Sequence, residues 1–184
     1  MSTGCRRGVI LDRDGVLVIP EFRCGRSFAP RRLEDFRLYP DAAGSVRALK
    51  AAGFVVIVAT NQPDVGAGLM ERAVLEEMHH RLRAEAPVDD IEVCTETRAQ
   101  ATDRRKPGPG MLLDAARIWR LDPGVSYAVG DRATDVEAAC RAGFIPVFID
   151  RGYTAEPQPT RHAATVYSLG EATDWILSRE SNAA

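Results

Sequence analysis

The sequence predicts a three-layer α/β protein in which a parallel sheet lies between helices on both faces. Short apolar runs rich in β-branched residues alternate with longer amphipathic stretches, the order of elements that such a fold requires. The runs are continuous, as expected of strands buried on both faces. Gly53 and Gly143 directly follow two of the amphipathic stretches, and glycine is common at helix ends.

Five strands and five helices follow from these patterns. The strands are predicted at residues 9–11, 54–59, 91–94, 127–129 and 145–149. The helices are predicted at residues 41–52, 71–86, 109–121, 134–142 and 170–179. Two segments are predicted to be loops, because residues 18–39 are rich in Arg, Pro and Gly and residues 95–106 are polar without apolar periodicity.

Length and composition indicate one globular domain spanning residues 1–184. Hydrophobic residues make up 45% and charged residues 27% of the chain, as in ordinary globular proteins. The net charge of −2 gives no sign of a nucleic-acid-binding surface. No apolar run approaches the roughly 20 residues that cross a bilayer, and residues 1–11 lack the apolar stretch of a signal peptide. We therefore expect a cytoplasmic monomer that binds neither membrane nor nucleic acid.

Four polar motifs lie next to predicted strands and helices. They are DRDG at residues 12–15, TNQ at 60–62, RKP at 105–107 and GDRATD at 130–135. Open α/β sheets bind their ligands beyond the carboxyl ends of the strands. We therefore expect the four motifs to meet at one edge of the sheet and to form a single site.

Asp12 and Asp14 are separated by one residue at the end of a predicted strand. In this position Asp12 could attack phosphorus as a nucleophile while Asp14 transfers the proton of the leaving group. Gly15 would let the chain turn and bring backbone N–H groups toward phosphate oxygens. The alternative is an ordinary DxDG surface turn, because Asp and Gly are common in turns.

A magnesium site is predicted from oxygen ligands in the same motifs. Asp12 and Asp131 would each supply a carboxylate, and Asp14 its backbone carbonyl. Magnesium would let a carboxylate approach a phosphate dianion that otherwise repels it. Asp135 could reach this site from the first turn of its helix, or it could simply interact with the positive N-terminus of the helix.

Thr60, Asn61 and Lys106 are candidate phosphate-binding residues. Thr60 offers a hydroxyl, Asn61 an amide and Lys106 a compact positive charge. Among the 24 basic residues only Lys50 and Lys106 are lysines, which suggests that Lys106 occupies a site shaped for a point charge. The alternatives are a turn at the end of a strand for residues 60–61 and a solvated loop cation for Lys106.

Together, the segments DRDGVL, VATNQPDVGAG, RKPGPGM and GDRATD resemble, in order and spacing, the haloacid dehalogenase-like phosphatase superfamily. The likeness covers residues 8–149 and points to the branch of heptose bisphosphate and histidinol phosphatases. It implies a Rossmann-like fold without a large cap and with a flap at residues 15–26. The resemblance implies that Asp12 is the nucleophile, Asp14 the general acid and base, and Asp131 a metal ligand. It implies that Thr60 and Lys106 bind phosphate and that Arg105 contacts the substrate. It also places Asn61 and Gln62 at the rim of the active site.

The chain departs from the family pattern in one loop. Many members of this branch carry C-x-H and C-x-C zinc ligands before the RKP motif, whereas this chain has CTE at residues 94–96 and TDR at 102–104. One thiolate without a histidine cannot form the tetrahedral site that structural zinc prefers. We therefore predict magnesium as the cofactor and no zinc. The loop would then be held by hydrogen bonds or ion pairs of Glu96, Arg98, Asp103 and Arg104.

His79 and His80 are adjacent in a predicted helix, so their side chains point in different directions. We interpret both as surface residues rather than as a pair of metal ligands.

The resemblance predicts magnesium-dependent hydrolysis of a small phosphorylated metabolite. Heptose 1,7-bisphosphate is the first substrate hypothesis, because RKPGPGM resembles the motif of the heptose bisphosphate phosphatases. Histidinol phosphate is the alternative, because GDRATD resembles the motif of the histidinol phosphatases. A polynucleotide 3′-phosphatase is a further alternative, since such enzymes carry similar TNQ and RKP segments. The last is a binding module that keeps the fold without catalysis.

Overall fold

The computed structural model describes residues 5–181, which contain a six-stranded parallel sheet and a separate two-stranded hairpin. The strands are β1 (Gly8–Leu11), β2 (Glu21–Arg23), β3 (Arg26–Phe28), β4 (Val55–Asn61), β5 (Asp90–Cys94), β6 (Tyr127–Gly130), β7 (Ile145–Ile149) and β8 (Ala164–Val166). The α-helices are α1 (Ala42–Ala51), α2 (Pro63–Gly66), α3 (Arg72–Glu85), α4 (Gly110–Trp119), α5 (Ala133–Ala142) and α6 (Leu169–Ser181).

The strands of the main sheet have the order β5-β4-β1-β6-β7-β8, and all neighbouring pairs are parallel. The first strand, β1, therefore lies in the middle of the sheet between β4 and β6. Its Ile10 pairs with Ile57 on one side and with Ala128 on the other. This arrangement confirms the predicted α/β fold, and it brings the carboxyl ends of β1, β4 and β6 side by side.

Alternate residues of the strands pack against opposite layers of helices. In β1, Val9 and Leu11 join the core formed with α1, α3 and α6, whereas Ile10 joins the core formed with α4 and α5. All four residues of this strand are buried. Burying one Val, Leu or Ile side chain stabilises a fold by about 1.5–3 kcal/mol. The apolar strands thus fix the sheet between its two helical layers.

The five predicted strands and five predicted helices are present, each with ends shifted by no more than two residues. Four of these helices and strands were not predicted: the short helix α2, the edge strand β8, and the strands β2 and β3 of the hairpin. The hairpin lies in the stretch 18–39 that was predicted to be a loop. All three residues of β2 are exposed, so this strand has no buried face that would produce an apolar pattern.

The connection from β1 to α1 contains the hairpin and one short 3-10 turn, Leu33–Asp35. Residues 5–181 therefore include no large inserted cap, in agreement with the sequence prediction, and the carboxyl edge of the sheet opens into a cleft. Within the same residues, no helix combines the length and the apolar character needed to span a membrane.

Candidate active site

The four polar motifs lie together at the carboxyl edge of the sheet. Asp12 follows β1, Thr60 lies near the end of β4, Asp131 follows β6, and Lys106 comes from the loop before α4. Asp12, Thr60 and Lys106 line an open cleft of about 770 Å³. Strands that are distant in sequence but adjacent in the sheet therefore bring these side chains into one place.

Lys106 lies at the centre of the site and is 6% exposed. Its Nζ donates to Asp12 Oδ1 at 2.8 Å and to the carbonyl of Ala59 at 2.8 Å, and it lies 2.6 Å from Asp135 Oδ1. Burial by itself would lower the pKa of Lys106, but attraction to Asp12 and Asp135 outweighs burial and raises the pKa. The ammonium group is therefore charged and fixed beside Asp12.

Asp12, Asp131 and Asp135 form a cluster of carboxylates in which one oxygen of each residue lies within 4.8 Å of the others. Burial, together with repulsion from Asp12 and Asp135, raises the pKa of Asp131 well above its usual range. Asp131 Oδ1 is buried and has no hydrogen-bond partner among residues 5–181. Carboxylate oxygens gathered in this way are the ligands that Mg²⁺ and Ca²⁺ prefer, so the cluster could hold a divalent metal.

Asp135 takes part in both arrangements that the sequence left open. Its Oδ2 accepts a hydrogen bond from the backbone N–H of Arg132 at 3.0 Å, which caps the first turn of α5. Its Oδ1 belongs to the ion pair with Lys106. The helix N-terminus therefore positions a carboxylate that also faces the site.

Gly15 brings the turn after β1 directly against Asp131. Its φ is +90°, a conformation that glycine adopts without strain. A Cβ at this position would collide with Asp131 Oδ2. The DRDG motif therefore needs its glycine both for the turn and for close packing on the carboxylate of the GDRATD motif.

The carboxylate of Asp14 is held from two sides. Gln62 Nε2 donates to Asp14 Oδ2 at 2.7 Å and also contacts Thr60 Oγ1 at 2.9 Å. Arg13 Nε lies 3.1 Å from both oxygens of Asp14. Asp14 thus borders the cleft with a fixed orientation, outside the cluster formed by Asp12, Asp131 and Asp135.

The side-chain amide of Asn61 forms two hydrogen bonds with the backbone of Lys106. Its Nδ2 donates to the Lys106 carbonyl at 3.0 Å, and its Oδ1 accepts from the Lys106 N–H at 3.2 Å. Asn61 therefore lies in the cleft, where the sequence placed it, and fixes the loop that carries the lysine.

Arg13 and His79 form a buried pair behind Asp14. Arg13 is fully buried, its guanidinium lies 5.6 Å from the ring centroid of Phe36, and its Nη1 lies 3.3 Å from His79 Nε2. The prediction that His79 is a surface residue is wrong, because it faces the core side of α3 and is 7% exposed; His80 is exposed. Burial, followed by the charges of Arg13 and Arg83, lowers the pKa of His79 to about 3.

The β2–β3 hairpin borders the cleft and is tied to its opposite wall. Arg132 Nη2 donates to the carbonyl of Ser27 at 2.7 Å. Glu156 accepts from the Ser27 N–H at 3.2 Å, and its carboxylate lies 3.4 Å from Arg132 Nε. Arg132 and Glu156 received no role from the sequence, because their contacts depend on how the hairpin folds over the sheet.

The loop before Lys106 is held by hydrogen bonds at the positions where family members carry zinc ligands. The carboxylate of Glu96 accepts from the Thr102 N–H at 2.7 Å and from its hydroxyl at 2.8 Å. Arg104 Nη2 donates to Glu92 at 2.7 Å, and Arg105 Nη1 donates to the carbonyl of Glu96 at 2.5 Å. Glu96 and Arg104 were among the expected partners, whereas Thr102 was not.

A family model described as haloacid dehalogenase-like hydrolase matches residues 28–143, more than half of the 184-residue chain. The chain belongs to the haloacid dehalogenase-like hydrolases. This membership agrees with the motif order, with the sheet topology and with the absence of an inserted cap from the described residues.

Curated relatives of this haloacid dehalogenase-like hydrolase are named as phosphatases. It is 36% identical over 155 residues to the D-glycero-beta-D-manno-heptose-1,7-bisphosphate 7-phosphatase of Rhodopseudomonas palustris, an alignment that covers 78% of this chain and 82% of the relative. It is 34% identical over 198 residues to the D-glycero-D-manno-heptose-1,7-bisphosphate 7-phosphatase of Thermosynechococcus vestitus, with 94% and 96% of the two chains covered.

Among solved structures, the hydrolase is similar to the D,D-heptose 1,7-bisphosphate phosphatase of B. bronchiseptica in complex with magnesium and phosphate. The TM-score is 0.79 at 29% sequence identity, and the match covers 94% of this chain and 99% of the other. These comparisons confirm the predicted superfamily, the predicted fold and the predicted class of enzyme, a phosphatase. The roles of individual residues stay predictions.

Proposed function

We propose that this hydrolase is a magnesium-dependent phosphatase that removes the 7-phosphate of D-glycero-D-manno-heptose 1,7-bisphosphate through an aspartyl-phosphate on Asp12. The observation that carries the proposal is the setting of the Asp12 carboxylate. It borders the cleft, has Lys106 on its Oδ1, and lies beside Asp131 and Asp135. A carboxylate next to a fixed cation and a candidate metal site is equipped to attack a phosphorylated substrate.

In the proposed reaction Asp12 attacks phosphorus, and the bond between phosphorus and the sugar oxygen breaks. Lys106 occupies Oδ1 of Asp12, which leaves Oδ2 for the attack. Asp14 gives a proton to the departing sugar oxygen. In the second half of the reaction Asp14 takes a proton from water, which attacks the aspartyl-phosphate and releases inorganic phosphate. Gln62 and Arg13 orient Asp14 for both transfers.

The residues present fit a magnesium ion. Asp12 and Asp131 would hold it together with the backbone carbonyl of Asp14, and Asp135 lies next to them. The three carboxylates face the Lys106 ammonium group and the Arg132 guanidinium, and Arg132 also pairs with Glu156, so negative charge is left uncompensated. One buried oxygen of Asp131 has no partner among the described residues. When bound, magnesium supplies positive charge against which a phosphate dianion can approach Asp12. The magnesium in the B. bronchiseptica structure supports this assignment.

Thr60, Arg105 and Lys106 are proposed to bind the transferring phosphoryl group or the substrate around it, and Asn61 is proposed to position Lys106. Thr60 and Lys106 border the cleft next to Asp12, and Arg105 extends the positive charge along the same wall. Asn61 contributes by holding the backbone of Lys106 in place.

The rim of the cleft favours a substrate with a second phosphate. Arg26, Arg98 and Arg105 line the cleft, and none of them pairs with a carboxylate within residues 5–181. By contrast, Arg31 is paired with Asp64. Arginines without anionic partners at the mouth suit the other phosphate of a bisphosphate, which agrees with the names of the relatives.

Histidinol phosphate fits this rim less well, because its ammonium group would approach the same arginines. It therefore serves as a comparison substrate. Phosphate release should be measured on the heptose 1,7-bisphosphate, on the heptose 7-phosphate and on histidinol phosphate. The proposal predicts the highest kcat/KM for the bisphosphate, and a higher value for histidinol phosphate would contradict it.

The substitution Arg98→Ala tests whether the cleft rim binds the second phosphate of the substrate, the one that is not hydrolysed. It should raise KM for the bisphosphate about 10-fold, since a hydrogen bond to a charged group contributes about 1.5–3 kcal/mol, and leave KM for the 7-phosphate unchanged. Arg72→Ala, an exposed arginine on α3, is the matched control.

The mechanism itself is tested by Asp12→Asn. An amide is a poor nucleophile, so this variant should retain less than about 0.1% of wild-type activity, a loss of more than about 4 kcal/mol in transition-state stabilisation. EDTA should abolish activity, and added Mg²⁺ should restore it. Turnover by Asp12→Asn above this level, or activity that persists in EDTA, would exclude the proposed mechanism.

A further inference from the structure

Tyr153 forms a buried hydrogen bond with the carboxylate of Asp131. The two residues are 22 positions apart, and the phenol O–H donates to Asp131 Oδ2 at 2.6 Å. Tyr153 is 7% and Asp131 2% exposed, so water does not compete for this bond. Tyr153 follows β7 and lies outside the four polar motifs.

Because of this hydrogen bond, the two carboxylate oxygens of Asp131 have different surroundings. Oδ2 is engaged by Tyr153, whereas Oδ1 is buried without a partner among residues 5–181. A carboxylate with only one occupied oxygen keeps its orientation and still offers the other oxygen to a cation. Groups that hydrogen-bond to a metal ligand commonly fix its orientation in this way.

The phenol is itself held in place from several directions. Its ring stacks on Phe22 of the hairpin, with centroids 5.9 Å apart and an interplanar angle of 23°. Two residues earlier, Arg151 Nε donates to the carbonyl of Gly15 at 2.7 Å. Two residues later, the N–H of Ala155 donates to the carbonyl of Gly25 at 3.0 Å. The segment that carries Tyr153 is therefore fixed to both the DRDG turn and the hairpin.

We propose that Tyr153 is a positioning residue for the metal ligand Asp131 and that its hydroxyl sets the affinity of the site for Mg²⁺. The inference rests on the proposed function, because it assumes that Mg²⁺ binds to the cluster of Asp12, Asp131 and Asp135. The hydroxyl contacts Asp131 and also interacts with the Ser27 side chain. We expect it to act on metal binding rather than on the chemical step.

The test is Tyr153→Phe, which removes the hydroxyl and keeps the ring that stacks on Phe22. Tyr127→Phe is a matched control, because Tyr127 also donates to a carboxylate, Glu180 Oε1, at 2.7 Å, at the opposite edge of the sheet. Isothermal titration calorimetry with MgCl₂ alone should give a Kd about 10-fold higher for Tyr153→Phe than for wild type. The Kd of Tyr127→Phe should stay within about twofold of the wild-type value.

Kinetics give a second measurement that a purely structural role would not affect. At low Mg²⁺ the kcat of Tyr153→Phe should fall, and at saturating Mg²⁺ it should return to the wild-type value with KM for the substrate unchanged. A kcat that stays low at saturating Mg²⁺ would overturn the proposal, and so would a wild-type Kd for Mg²⁺ in this variant or an equal rise in Tyr127→Phe.

A measurement on the wild-type sequence covers the case in which Tyr153→Phe does not fold. With 3-fluorotyrosine at its four tyrosines, the ¹⁹F signals can be assigned through Tyr39→Phe, Tyr127→Phe and Tyr167→Phe. The Tyr153 signal should shift most when Mg²⁺ is added, and a signal that does not move would overturn the proposal. If the wild-type chain binds no Mg²⁺ at all, it is the proposed function that fails.

Discussion

The ammonium group of Lys106 has three N–H donors, and the structure supplies three acceptors for them. They are Asp12 Oδ1, Asp135 Oδ1 and the carbonyl of Ala59, at 2.6 to 2.8 Å. A guanidinium group is flat, larger and carries five donors, so it cannot be satisfied in the same small space. This explains why a chain that uses arginine for nearly all its basic residues has lysine here.

Lys106→Arg should therefore lower kcat by at least about 100-fold, the cost of losing one well-placed donor in an active site. The matched control is Lys50→Arg, because Lys50 contacts Asp89 and the Pro87 carbonyl near the surface, and its kcat should change less than about twofold. Steady-state phosphate release measures both. More than about a tenth of wild-type kcat in Lys106→Arg would show that only the charge matters.

His79 makes stability depend on pH. Its pKa is about 3 in the folded protein and about 6.5 in an unfolded chain, so the unfolded state binds the proton more readily. The resulting contribution to stability is present above pH 6.5 and is lost as the pH falls from 6.5 toward 3. Between pH 7 and pH 5 the loss amounts to about 2 kcal/mol.

Urea unfolding of wild type and His79→Gln at pH 7 and pH 5 isolates this contribution, because the carboxylates titrate in both proteins. The free energy of unfolding of wild type should fall by about 2 kcal/mol more than that of His79→Gln. Equal pH dependence in the two proteins would mean that His79 titrates normally.

The sequence located the site through residues at the carboxyl ends of strands, such as Asp12, Thr60 and Asp131. Their positions follow from local pattern alone, because parallel strands align their carboxyl ends. The sequence could not reveal that Tyr153 contacts the site or that His79 is buried. Their partners, Asp131 and Arg13, are 22 and 66 positions away, and such contacts depend on how helices and loops pack over the sheet.

Hydrogen bonds hold the loop between β5 and α4, in which many members of the branch that the sequence resembles have zinc ligands. Glu96 closes the loop through two bonds to Thr102, and the same loop carries Arg98 and Arg105 to the rim of the cleft. A turn closed by one carboxylate orders the backbone locally but crosslinks it less than a metal with four ligands does. We therefore expect substrate affinity to depend on this turn.

Glu96→Ala should raise KM for the bisphosphate several-fold and speed hydrogen exchange over residues 95–105, because the Thr102 N–H loses its acceptor. The kcat should stay within about twofold of wild type, since Glu96 does not contact the carboxylate cluster. Glu85→Ala, which removes an exposed ion pair with Arg81 on α3, is the control. Unchanged exchange in the loop would show that Glu96 does not order it.

The strands of the sheet were predictable because buried parallel strands need continuous apolar residues, as in β1 and β4. Strand β8 was not, since its three residues include one exposed position and only Val166 is buried. The hairpin was not predicted for a related reason, because β2 has no buried residue. The hairpin is held in place by contacts of Ser27 and Phe22 with the opposite wall of the cleft.

The folded protein brings three carboxylates close together at its candidate active site, which is electrostatically unfavourable. Asp12, Asp131 and Asp135 face the Lys106 ammonium group and the Arg132 guanidinium, which is shared with Glu156. Burial of the carboxylate charge that remains uncompensated is unfavourable. A bound cation would relieve this repulsion. At a Mg²⁺ concentration 100 times its Kd, binding adds about 2.7 kcal/mol to the stability of the folded state.

Thermal unfolding tests this charge balance. Mg²⁺ should raise the Tm of wild type by about 5–10 °C. Asp131→Asn should unfold in EDTA at or above the wild-type Tm, because an amide removes one repelling charge and still accepts from Tyr153, and Mg²⁺ should no longer shift its Tm. A lower Tm of Asp131→Asn in EDTA would show that the carboxylate stabilises the metal-free protein.

The end of α6 lies at the base of the sheet, away from the cleft. Glu180 contacts Arg7, just before β1, and Tyr127, the first residue of β6, so it lies at the amino ends of the strands. A surface tether attached through side chains at this base, such as those of Arg7 and Glu180, would lie opposite the cleft. Enzyme immobilised in this way should therefore present the open mouth of its cleft to the solution, and the tether should not obstruct entry of the substrate.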